Sequence, residues 1–219
     1  MLKKIKNSIV KEKFFPVVLF SLFIVLAYYN LLLLENSRPG NLLLEAIKYM
    51  EANYNKLEIN IQEKGPGYSL NFKGKKFGQE YLGNFLDYNL QVYKNSTGSI
   101  YVKDLKDGVW KEAKELGLEK IQYFFISPFE LLSSYSSSFH KSKFIHVPGE
   151  EEVVISLDTP ALPNTIKGFY SDGIIPESLN IGFLITIGEN EPFIRELSIS
   201  LYDKDNLKKA LLRTFSFKG

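Results

Sequence analysis

His140 and His146 are the only histidines of the chain, and Glu150, Glu151 and Glu152 follow closely. Imidazoles with nearby carboxylates are the raw material of a metal centre. This spacing, however, matches no helical ligand motif such as His-Glu-x-x-His, in which two imidazoles share one face. The group reads as loop histidines beside a solvated acidic run, and no metal is expected. Ser133, Ser134, Ser136, Ser137 and Ser138 offer hydroxyls but have no general base nearby in sequence. Neither a Gly-x-Ser-x-Gly elbow nor a phosphate loop is present. The chain has no cysteine, which removes disulfides, thiolate metal sites, cysteine nucleophiles and attachment of lipid through an N-terminal cysteine. Asn95-Ser96-Thr97 matches a glycosylation acceptor, with meaning only in a host that glycosylates exported proteins. The expectation is a protein that is not an enzyme, with no catalytic residue and no cofactor.

The remaining chemistry is apolar. The chain holds 13 Tyr and 17 Phe but a single Trp, Trp110. An isolated tryptophan on a strand is more often core than ligand wall, because large aromatics dominate burial generally. Trp110, Phe124, Phe125, Phe129, Leu132, Phe183 and Ile185 are the candidate residues for lining an apolar site. What matters next is which elements would bring them together.

The first element is an anchor. Phe14 to Leu34 is an uncharged run between Lys13 and Glu35. As a helix rising about 1.5 Å per residue it matches a hydrocarbon core of roughly 30 Å. Tyr28 and Tyr29 suit the membrane interface. Residues 1–13 carry Lys3, Lys4, Lys6, Lys11 and Lys13 against one glutamate, a local +4, which keeps the N-terminus cytoplasmic and places the bulk of the chain outside. The rival reading is a signal peptide cleaved after Ala27. The apolar run, though, continues past a usual signal core of about 7 to 15 residues. Residues 35–219 hold 22 basic and 24 acidic side chains, net −2, and so lack the basic footprint of a nucleic-acid binder.

After the linker 36–40, Leu43, Ala46, Ile47, Met50 and Tyr54 form one helical stripe, which predicts a helix packed on a sheet. The period then changes to two. Leu57, Ile59 and Ile61 alternate with polar residues. Gly65-Pro66-Gly67 turns the chain into Tyr68, Leu70 and Phe72. Tyr81 to Tyr93 reads as one longer strand. Residues 99–105 and 109–113 flank an Asp107-Gly108 hairpin signal. Val153, Ile155 and Leu157 alternate later, and Leu179 to Ile187 is the clearest strand of all. Phe193 to Leu201, with Arg195 interrupting its apolar face, and "ALLRTFSF" complete about eight or more antiparallel strands. A sheet of that size curls or splits, and its apolar face needs a cover.

The stretch 107–132 supplies one. Ser127-Pro128-Phe129-Glu130 is a capping box with proline at the first helical position, so a short helix starts near Pro128. It is expected to end in a flexible "SSYSSS" loop. Residues 99–132 run as strand, tight turn, tryptophan, a Leu-Gly-Leu step and a capped helix. In that order they resemble the LolA/LppX group of extracytoplasmic lipoprotein carriers and lipid-binding lipoproteins. As strand order the resemblance extends over roughly residues 41–217. It implies an α+β fold in which a strongly bent antiparallel sheet forms an open half-barrel with covering helices, here preceded by a transmembrane helix. It also implies binding of a lipid or another hydrophobic ligand. Free shuttling of cargo does not carry over, since this chain is tethered by a helix. The alternative expectation is an envelope interaction or sensor domain with a filled core, whose partner is an envelope protein.

Overall fold

The computed structural model describes residues 23–26, 28, 38–53, 55–145, 152–166, 179–188, 191–203 and 209–219. The chain divides into two compact units, 1–38 and 39–219. In the first, residues 23–26 and 28 are helical, and Phe23, Ile24, Val25, Leu26 and Tyr28 are exposed. Among the described residues no helix is long and apolar enough to cross a membrane. The rest of the anchor expected over 14–34 lies outside them, as does His146.

Among the described residues, the second unit is built on one antiparallel sheet of eleven strands. They are β1 (Lys56–Gly65), β2 (Tyr68–Phe77), β3 (Glu80–Phe85), β4 (Leu90–Lys94), β5 (Ile100–Asp104), β6 (Trp110–Glu112), β7 (Lys143–Ile145), β8 (Glu152–Pro160), β9 (Leu179–Gly188), β10 (Ile194–Asp203) and β11 (Lys209–Lys218). Their spatial order is β6-β5-β4-β3-β2-β1-β11-β10-β9-β8-β7. Two meanders, β1 to β6 and β7 to β11, therefore meet at one seam, where Ile61 pairs with Phe215 and Ile59 with Phe217. The two outermost strands, β6 and β7, are three residues each, a length that limits edge-to-edge pairing with other chains.

One face of the sheet is apolar. Leu57, Ile59 and Ile61 of β1, Phe72 of β2, Val92 of β4 and Phe183 of β9 are all buried, with polar residues alternating on the other face. Helix α1 (38–53) buries the expected stripe of Leu43, Ala46, Ile47 and Met50; Tyr54 lies outside the described residues. Gly40 permits a close approach, since a Cβ there would sit 2.7 Å from the carbonyl oxygen of Phe139.

Two strand readings are corrected. The segment 81–93 is a hairpin rather than one strand: β3 and β4 are joined by a turn in which Asn89 takes φ 53°, a left-handed conformation asparagine tolerates. Leu86 and Tyr88, which fall within the expected strand, lie in that turn and are exposed. In β10 the register shifts between Ile194 and Glu196. The bulge resets the phase, so Ile194 is buried ahead of Leu197 and Ile199, while exposed Arg195 pairs with Glu152.

Between β6 and β7 runs the insert. It holds the 3-10 helices Ala113–Leu116 and Glu119–Phe125, α2 (Pro128–Ser133) and the 3-10 helix Ser136–Lys141. Another short helix, α3 (Pro163–Ile166), follows β8. Because β6 and β7 are opposite edges, the insert must travel from one side of the sheet to the other. Phe124 and Phe125 pack on Phe72 and Phe85 of β2 and β3. Phe129 stacks on Phe217 of β11 at 5.1 Å, and Tyr135 meets Phe183 of β9 at 5.3 Å. The insert is thus the cover of the apolar face. Its Leu-Gly-Leu step is a helix end: Gly117, at φ 68°, donates its N–H to the Lys114 carbonyl. The serine-rich segment, expected as a loop, is a 3-10 helix held down by buried Tyr135 and Phe139.

Candidate functional site

A cavity of about 530 Å³ lies between the insert and the sheet. Its walls are apolar: Leu70 of β2, Phe85 of β3, Leu90 of β4 and Leu211 of β11 face Ile121 and Phe124 of the 3-10 helix Glu119–Phe125. Tyr68, Tyr88 and Leu118 also line it and are exposed, which marks them as its mouth. The volume falls within the range of about 300 to 1,000 Å³ usual for small-molecule sites.

Lys120 lines the cavity, and a buried ion pair forms part of its wall. Glu63 and Arg213 are register partners across the β1–β11 seam, and both face inward. They are 5% and 2% exposed. Arg213 donates through Nε to Glu63 Oε2 and pairs with the same carboxylate through its second guanidinium nitrogen. Its remaining nitrogen donates to the Tyr123 carbonyl at 2.8 Å, and its guanidinium lies 5.4 Å from the Phe124 ring centre. Tyr68 donates its hydroxyl to Glu63 Oε1 at 2.8 Å. Gly65 makes that bond reachable, because its missing Cβ is the space the Tyr68 ring occupies. Burial pushes the Arg213 guanidinium below its ordinary pKa, and the Glu63 carboxylate opposes that shift. The pair ties the seam of the sheet to the insert. Chemically, it gives an apolar chamber one dipolar wall in which the Arg213 donors are directed at Glu63 and the Tyr123 carbonyl.

Of the seven residues singled out from the sequence, Phe124 lines this cavity. Phe125 is fully buried beside it, in the cluster with Phe72 and Tyr81. Phe129, Leu132, Phe183 and Ile185 are buried in the core beneath the rest of the insert and sheet, without lining the cavity. Trp110 stands on the edge strand β6, 41% exposed, with the Lys103 ammonium 5.0 Å from its ring centre. Glu63 and Arg213 were missed. The signal was available: each continues the inward phase of its strand, Leu57-Ile59-Ile61-Glu63 and Leu211-Arg213-Phe215-Phe217.

His140 shares a hydrogen bond of 2.9 Å with the Ser137 carbonyl and is exposed. Glu152 is engaged by Arg195. No group of three or more possible metal ligands gathers among the described residues. Asn95 accepts from the Thr97 hydroxyl and the Ser99 amide, closing the β4–β5 turn on its own side chain.

The architecture defines a class: an α+β protein with an open antiparallel sheet whose apolar face is covered by a long insert. No protein-family model matches the chain, and no curated protein does. Among solved structures that match is the crystal structure of a DUF1329 family protein from Desulfovibrio piger, at 9% identity and a TM-score of 0.35, covering 83% of this chain and 90% of that one. A likeness of this degree carries no argument about activity or ligand.

Proposed function

We propose that this protein is a membrane-tethered extracytoplasmic domain of the LolA/LppX-like kind that holds a lipid or another hydrophobic ligand without acting on it chemically. The observation that carries the reading is the apolar cavity of about 530 Å³ between sheet and insert. Burial of ligand methylenes there is favourable by about 0.8 kcal/mol each. Exposed Tyr68, Tyr88 and Leu118 at the mouth offer an apolar path inward. The uncharged run 14–34 and the five lysines before it support the tether and its orientation.

The test is native mass spectrometry of the full chain in detergent, followed by displacement of a fluorescent fatty-acid probe. The expected result is saturable probe binding that Ile121→Trp weakens by filling the cavity. A chain that carries no lipid and ignores the probe rejects the reading. It leaves the interaction or sensor domain in its place.

A further inference from the structure

A second cavity, of about 370 Å³, is lined by Lys76, Tyr81, Lys94, Gln122 and Glu130 among others. Gln122 and Phe125 of the 3-10 helix Glu119–Phe125 face it, whereas Ile121, Tyr123 and Phe124 face the apolar cavity. The register explains its character. Lys76 of β2 pairs with Tyr81 of β3, which pairs with Lys94 of β4. Three polar side chains thus stand in a row on the covered face of the sheet, where apolar residues are the rule. Lys94 donates to the Phe125 carbonyl at 3.1 Å and lies 5.4 Å from the Tyr81 ring centre. Tyr81 is 2% exposed, and its hydroxyl has no hydrogen-bond partner among the described residues. A buried hydroxyl left unmet is costly, so such a group takes a partner from outside the protein, a water or a ligand.

The charges point the same way. Burial pushes both the Lys76 and the Lys94 ammonium below their ordinary pKa, and Glu130 opposes this for each. Glu130 is the glutamate of the capping box. Ser127 accepts its backbone N–H at 3.4 Å, and its side chain lines this cavity. Within the cavity lining, Lys76 and Lys94 face the single carboxylate of Glu130, while Glu51, outside the lining, also acts on Lys76.

We propose that Lys76, Tyr81 and Lys94 form a binding site for a singly charged oxyanion of the carboxylate or phosphate class. The anion accepts from the Tyr81 hydroxyl and from the two ammonium groups. It pairs with the two ammonium groups of the lining, while Glu130 disfavours a second negative charge. The assignment depends on neither the apolar cavity nor its occupant.

The experiment uses the full chain in non-ionic detergent near pH 6.5. Binding of acetate and inorganic phosphate is measured by equilibrium dialysis, and binding of lysophosphatidate in lysophosphatidylcholine micelles by calorimetry, with lysophosphatidylcholine alone as control. Saturable, salt-sensitive binding of at least one probe is expected. Tyr81→Phe, which keeps the ring, and Lys94→Met should each weaken it by about tenfold or more, the equivalent of one charge-assisted hydrogen bond. Glu130→Gln should tighten it. Binding of acetate or phosphate identifies a free anion; binding of lysophosphatidate alone identifies a headgroup. Ile121→Trp should leave anion binding unchanged, which separates this site from the apolar cavity. No saturable binding of any probe overturns the proposal. So does binding that Tyr81→Phe leaves intact, an outcome that can be read even if Lys94→Met fails to fold.

Discussion

At the scale of single residues, the most consequential pair is Glu63 and Arg213. Each is buried, and each has the other as its charge partner across the seam. Removing one partner strands a charge in the interior, whereas removing both leaves the neutral Tyr68 hydroxyl and Tyr123 carbonyl to find new partners. Arg213→Met and Glu63→Leu are each expected to destabilise the protein by about 3 to 5 kcal/mol, and the double variant Glu63→Leu/Arg213→Met by far less. Denaturant unfolding of the four proteins closes the cycle. Single variants within about 1 kcal/mol of the parent would show the pair to be solvated and unimportant. These two residues were hard to read from sequence because a search for strands counts apolar positions. It then treats a charge in phase as the end of the pattern, when here it is part of the pattern.

At the scale of elements, the insert is where sequence and structure agree best. Its cap and its proline are local signals, and a cap is made within one turn of the chain. Ser127 accepts the Glu130 amide as the capping motif requires. Ser127→Ala should cost about 0.5 to 2 kcal/mol, measured by thermal or denaturant unfolding against Lys114→Ala, an exposed partner of Glu112. Unchanged stability would mean that the cap contributes nothing. The Glu130 half of the motif is different: its side chain lies in a cavity with two lysines, a tertiary arrangement no local pattern announces. The serine-rich segment misled for the same reason. Its composition favours a loop, yet Tyr135 and Phe139 bind it to the core. Tyr135 also accepts the Leu162 amide at 2.9 Å through its hydroxyl. The hairpin at 86–89 was hidden by Leu86 and Tyr88, which mimic strand phase while lying in a turn beside the cavity mouth.

At the scale of the whole unit, strand order does most of the work. Alternation alone established that many antiparallel strands exist. It could not establish that β1 pairs with β11, because pairing partners are chosen by register and cover. That seam places β6 and β7 at opposite edges and obliges the insert to cross the apolar face. Eleven strands about 4.8 Å apart make an arc of roughly 48 Å. The short helices of the insert cover such a breadth unevenly. Beneath Phe129 and Tyr135 the interior is filled; on either side of the 3-10 helix Glu119–Phe125 it is not.

The same seam governs how quickly the unit assembles. Each meander joins neighbours in sequence, so hairpins such as β1–β2 close short loops. The seam joins residue 61 to residue 215 and waits for both halves. Loop closure of that length is slow to be rewarded, which places seam contacts late on the folding path. Phe215→Leu should therefore accelerate unfolding while leaving the refolding rate nearly unchanged, and Val92→Ala within the first meander should slow refolding. Stopped-flow chevrons of both variants test this order of events. If Phe215→Leu mainly slowed refolding, the seam would instead be the nucleus around which the two halves gather.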